Sequence, residues 1–186
     1  YLDASPNIAQ VTDTFPTGSN LGSRVMNASW SWNATANPWL RLTTSSAVAL
    51  PSPVIDFTKS FRFSIYTDKD LEIAIGCRET TNAVGTPIGS NAGSGTAIEW
   101  AGVTGKNGNA PIATHAVTAN AWTNMTFNLP AESILSFFSG NNVLFTASGL
   151  GALEHLAFVP AGGTGTYNVY LDNFEVVTEK ILTYSL

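Results

Sequence analysis

The chain has 186 residues, 44% of them hydrophobic and only 11% charged, with 8 Lys and Arg and a formal net charge of −5. So few cations argue against nucleic acid, whose phosphates need a basic face, and against a polybasic membrane patch. No apolar run approaches the ~20 residues of a membrane span, and the length suits a single domain over 1–186 with one core.

The chain opens at Tyr1 without an initiator Met, as expected of a mature product or an excised module. From there the strand period dominates. Trp30 and Trp32, two residues apart, would share one side of a strand, as core residues or as a two-ring platform. Leu40 and Leu42 alternate with Trp39, Arg41 and Thr43. Phe61, Phe63 and Ile65 alternate with Arg62, Ser64 and Tyr66, and Leu71, Ile73, Ile75 and Cys77 with Glu72, Ala74, Gly76 and Arg78. Cys77 is the sole cysteine, so no internal disulfide forms, and its strand position predicts a buried structural thiol.

Residues 80–109 are rich in Gly, Asn, Thr and Ser and read as a long loop around a short strand near Ala97–Trp100, where Trp100 would close a cleft. Trp122 precedes the alternation Met125, Phe127, Leu129 and reads as a loop pin. After Pro130, the spacing of Ile134, Leu135 and Phe138 before Gly140 predicts one or two helical turns. Leu156 and Phe158 begin the return to strand, which places His155 away from the core. The final run Tyr167–Val177 alternates aromatic and aliphatic residues as a long strand that carries Asp172 and Asn173 inside it. A carboxylate buried there needs compensation, and a bound cation is the simplest kind. Many short strands with half-polar faces predict an all-β fold, an antiparallel β-sandwich of jelly-roll type.

If Leu40, Phe63 and Ile73 face the core, then Trp39, Arg41, Arg62, Tyr66, Glu72 and Arg78 face outward. Three of the four arginines fall on such positions. Aromatic rings beside Arg suit a glycan, whose C–H faces stack on Trp or Tyr while its hydroxyls bond planar polar groups. The alternative is a solvated sheet face with ordinary cross-strand ion pairs. Sequence does not say whether these residues share one sheet. The candidate ligand-binding set is Trp39, Arg41, Arg62, Tyr66, Arg78 and Trp100.

The runs Val11–Phe15, Trp122–Leu129 and Tyr170–Val176, in this order, resemble the jelly-roll carbohydrate-binding modules of the galactose-binding-like β-sandwich superfamily. The resemblance spans nearly the whole chain. It implies a secreted, non-catalytic module that binds polysaccharide, is appended to other domains of a carbohydrate-active protein, and is here expected to act as a monomer. It also implies a structural Ca²⁺ joining the first and last strands, held by Asp172 and oxygens around Asp13. The family's opening strand usually has an acidic residue after the Phe, where this chain has Pro16.

Two rival readings stay open. Enzyme activity, as a polysaccharide lyase or glycosidase, would draw on Glu72, Glu79, Glu99, His115 or the arginines, but no Gly-x-Ser-x-Gly elbow and no His/Cys metal spacing occurs. A structural or adhesive cell-surface sandwich would show an exposed apolar patch.

Overall fold

The structure is a computed structural model and describes residues 10–18, 21–32, 38–43, 53–79, 97–146 and 148–178. Its strands are β1 (Gln10–Thr12), β2 (Val25–Trp32), β3 (Leu40–Thr43), β4 (Val54–Asp56), β5 (Ser60–Thr67), β6 (Leu71–Glu79) and β7 (Ile98–Ala101). There follow β8 (Val103–Asn107), β9 (Ala110–Ala113), β10 (His115–Val117), β11 (Thr123–Asn128), β12 (Ile134–Phe138), β13 (Leu150–Pro160) and β14 (Gly165–Val177).

One sheet has the order β1-β2-β14-β5-β11 and the other β12-β7-β6-β13-β3, with β10 on β6 and β4 on β13. The ladders are antiparallel. The chain crosses between the two sheets at β2/β3, β4/β5, β5/β6, β10/β11, β11/β12 and β13/β14, so neighbours in sequence face each other across the core. The strand order of both sheets with these crossings is that of a jelly roll, the expected all-β antiparallel sandwich.

Period-two alternation explains the core. Phe61, Phe63 and Ile65 of β5 meet Leu71, Ile73, Ile75 and Cys77 of β6, with Met125, Phe127, Leu156, Phe158, Val169 and Leu171 filling the space between. Each such large side chain, fully buried, contributes about 1.5–3 kcal/mol. Trp30 and Trp32 both point inward and pack against Tyr167, at ring-centroid distances of 6.1 and 4.5 Å. They are core, not a platform. Cys77 is buried in the same layer, and burial together with Glu79, Glu132 and Glu99 pushes its thiol well above the ordinary range. It is an inert packing residue.

Two expectations are corrected. The helical turns predicted after Pro130 are a 3-10 turn over Leu129–Ala131 followed by strand β12, which pairs with β7. Ile134 packs on the main core while Leu135 and Phe137 pack on the opposite face of the sheet, so alternation between two apolar faces outweighs the helical spacing. The long loop of 80–109 is shorter than read. Residues 80–96 lie outside the described residues, but Val103–Ala113 form the β8–β9 hairpin around Gly108, whose φ of 62° a side chain would disfavour.

Candidate outer-face binding site

In most half-buried sheets the face turned from the core is polar and wet. In the second sheet it is not, because β6 and β13 are buried on both sides. Its outer positions carry Ala74 and Gly76 on β6 and Ala157 on β13, and a second apolar cluster covers these small residues: Trp100, Val103 and Ala113, joined by Trp39, Leu135, Phe137 and Val159.

The register explains the geometry. His155, Gly76, Trp100 and Leu135 form one row across β13, β6, β7 and β12. Gly76 supplies no Cβ, and one built there would lie 2.8 Å from His155 Cβ and 3.0 Å from Trp100 Cζ3. The missing side chain lets the two rings meet over the strand, 5.8 Å apart. From just before the edge strand β3, Trp39 reaches over the small residues to Trp100, with centroids 6.0 Å apart and planes at 84°. Phe137 closes the group at 4.8 Å from Trp100 and 6.5 Å from Trp39.

Arg41 lies outermost, its guanidinium carbon 5.9 Å from the Trp39 ring and 5.2 Å from Phe137. Trp39 and Phe137 remain half-buried and Arg41 exposed, whereas Trp100 is wholly buried. The accessible part is thus two rings and a guanidinium on a buried indole.

Beneath and beside them is a buried polar network. A bulge in β13 between Leu153 and His155 inserts Glu154, whose carboxylate takes Arg78 in two hydrogen bonds, Nη2 to Oε1 at 2.7 Å and Nε to Oε2. Both partners are buried. His155 Nε2 lies 3.7 Å from Glu154 Oε1. Burial, then Arg41 and Arg78, push the imidazole down to about 3, so it is neutral at pH 7 and its contact with Glu154 is no ion pair.

The expected ligand-binding residues therefore divide. Trp39, Arg41, Arg78 and Trp100 share this face, though Arg78 is an internal partner of Glu154 and Trp100 a support, not surface groups as the alternation suggested. Trp100 closes no cleft with its own surface. Arg62 and Tyr66 stand on the other sheet, on the far side of the molecule. There Arg62 meets Glu175 at 3.5 Å and Thr126 Oγ1 at 3.3 Å. The Tyr66 ring lies 5.8 Å from Trp122 and 6.0 Å from Tyr170, and its hydroxyl donates to Asn120. An open depression of about 500 Å³ adjoins Arg62, Ser64, Asn124 and Asn173. Trp122 pins its loop as expected, donating to Pro16 O at 2.9 Å.

Glu154, His155 and Phe137 escaped the sequence reading as site residues. The signal that could have found them is the run of small residues at outward positions of β6 and β13, which announces that something packs there. Asp172 is half-buried, and its Oδ2 accepts the Gly22 N–H at 2.7 Å, so an amide supplies part of the compensation assigned to a cation. Asp13 is exposed and bonds the Thr14 hydroxyl. Among the described residues no three His, Cys, Asp or Glu side chains converge.

No family model matches the chain, and no curated protein matches it. Among solved structures, a Bacteroides thetaiotaomicron protein described as a "putative sugar binding protein" aligns over 95% of this chain and 84% of its own, at 11% identity and a TM-score of 0.37. A likeness at that level carries no argument about ligand or chemistry.

Proposed function

We propose that the chain is a secreted, non-catalytic module that binds polysaccharide as a monomer, appended to other domains, with the outer face of the second sheet as its contact surface. The observation that carries this reading is the half-exposed pair Trp39 and Phe137 capped by exposed Arg41 and held on buried Trp100. Rings fixed from below cost little entropy when a sugar stacks on them, and a guanidinium alongside bonds hydroxyls or a carboxylate. The neutral His155 and the mutually engaged Arg78 and Glu154 suit positioning better than acid–base work, which supports binding over catalysis.

Affinity electrophoresis against neutral and uronate-containing polysaccharides tests the reading. Retardation without depolymerisation, weakened in Trp39→Ala, is the expected result. Depolymerisation would restore the lyase or glycosidase reading, and no retardation by any polymer would remove the proposal.

A structural or adhesive role has one observation in its favour: Phe145 and Phe138 are 72% and 62% exposed, with Val143 also exposed between them in the chain. Self-association or surface adsorption lost in Phe145→Ser would support it.

A further inference from the structure

The outer face of the first sheet carries three rows of side chains that the Trp39 surface does not use. Strand register places them. Tyr66 of β5 stands opposite Tyr170 of β14, and Trp122, just before β11, comes level with Tyr66. The next row is Asp172, Ser64 and Asn124, and the one after it Glu175, Arg62 and Thr126. Rows two residues apart along a strand lie about 6.6 Å from each other.

The first row is aromatic. Its ring centroids are 6.0 Å apart between Tyr66 and Tyr170 and 5.8 Å apart between Tyr66 and Trp122. Two polar anchors hold the row: Trp122 donates to Pro16 O at 2.9 Å, and the Tyr66 hydroxyl to Asn120 Oδ1 at 3.3 Å. All three rings are half-buried, and none belongs to either apolar cluster of the sandwich. They are fixed rings on a solvent face.

The other two rows surround the open depression of about 500 Å³ with planar polar groups. A bulge in β14 sets two residues, Asn173 and Phe174, against Phe63 alone. Phe174 packs on Phe61 and Phe63. Asn173, at a φ of 54°, instead donates its amide to Ser64 Oγ at 3.2 Å, as bulges re-aim side chains. Ser64 donates in turn to Asn124 Oδ1 at 3.1 Å. Both asparagines are exposed. Rings beside ordered amides match a sugar, whose C–H faces stack while its hydroxyls donate and accept.

Charge narrows the class. Asp172 and Glu175 outnumber Arg62 in these rows, and Glu175 already meets that guanidinium at 3.5 Å. A uronate carboxylate would face this excess of negative charge; a neutral sugar would not. We propose that the Tyr66 face is a second saccharide site, selective for neutral sugars. Tyr66 and Tyr170 stack on the sugar, while Asn124 and Asn173 bond its hydroxyls. The site lies on the far side of the molecule from Trp39 and uses different residues, so it stands or falls independently of the reading of that surface.

The test is titration of isotope-labelled protein with cellohexaose, xylohexaose, mannohexaose and hexagalacturonate, followed by amide NMR. At least one neutral hexasaccharide is expected to shift the amides of Tyr66, Asn124, Tyr170 and Asn173, and hexagalacturonate to leave them in place. Tyr170→Ala should weaken the Kd read from those amides about tenfold and leave any shifts at Trp39, Arg41 and Phe137 as in the wild type. Should Tyr170→Ala fail to fold, Asn124→Ala at an exposed position carries the test, with a loss of about fivefold. Shifts at the Tyr66 face alone uphold this site and remove the Trp39 reading. Shifts confined to the Trp39 face, or absent from both, overturn the proposal. So does binding at the Tyr66 face that survives both substitutions, or that is as strong for hexagalacturonate as for the neutral sugars.

Discussion

The rings of Trp100 and His155 lie 5.8 Å apart above Gly76, on neighbouring sides of the strand that lacks a side chain between them. That arrangement joins the aromatic surface to the buried polar network. Through Trp100 the indole of Trp39 and the ring of Phe137 are held in place; through His155 the same support reaches Glu154 and Arg78. A change under the rings should therefore be felt at the surface that they present.

Gly76→Ala tests this coupling directly. Its Cβ would sit 2.8 Å from two His155 atoms and force the imidazole or Trp100 aside. The expected cost is about 1–3 kcal/mol of stability, as for other overpacked sites, seen as a lower midpoint in urea. Polysaccharide binding should weaken as well. A variant that keeps wild-type stability would show that the two rings can separate freely.

Arg78→Ala removes the guanidinium that pairs with the buried Glu154 carboxylate. Loss of one partner from such a pair costs about 3–5 kcal/mol. Calorimetry should show the destabilisation, and Arg78→Met with Glu154→Leu should recover much of it, since a well-packed apolar pair removes both charges. If Arg78→Ala alone were neutral, solvent would have to reach Glu154.

His155 predicts a pH dependence with a definite sign. Its folded-state value of about 3 lies below the ordinary 6.5, so between these pH values the unfolded chain holds a proton that the folded chain refuses. Its stability contribution is present above about 6.5 and lost as the pH falls towards 3. Glu79 and Glu99 act in the opposite sense. Burial, first among their causes, raises both above the ordinary 4.5, so their protonation favours the folded state as the pH falls. The difference between wild type and His155→Gln isolates the histidine: in EDTA, the wild type should lose more stability than the variant between pH 7 and pH 4. Parallel curves would mean that His155 is protonated in the folded protein.

Trp39 separates binding from folding. It is half-buried at a sheet edge, so Trp39→Ala should lower polysaccharide affinity by tenfold or more, about 1.4 kcal/mol per tenfold, while the circular dichroism spectrum stays unchanged. Arg41→Ala should have a smaller effect on a neutral polymer and a larger one on a uronate polymer. Equal effects on both polymers would mean that the guanidinium serves only to hold Trp39 and Phe137.

Residue alternation alone was enough to place the inward faces of β3, β5, β6 and β11, because a strand with one apolar face has only one register that buries it. The same reading located Cys77 in the core, Trp122 as a pin and His155 away from the inner core, and it led to the sandwich class. Which outward residues stand together was decided only by the fold. Arg62 and Arg41 have equivalent local patterns, yet the crossing between β5 and β6 puts their strands in different sheets and their side chains on opposite sides of the molecule. Glu154 was invisible to pattern because a bulge, which breaks the period, delivers it to Arg78. Strand β12 was hidden by a run that satisfies helical spacing and also feeds two apolar surfaces. Local periodicity records what one strand buries; long-range pairing determines which strands become neighbours, and the sites belong to the neighbours.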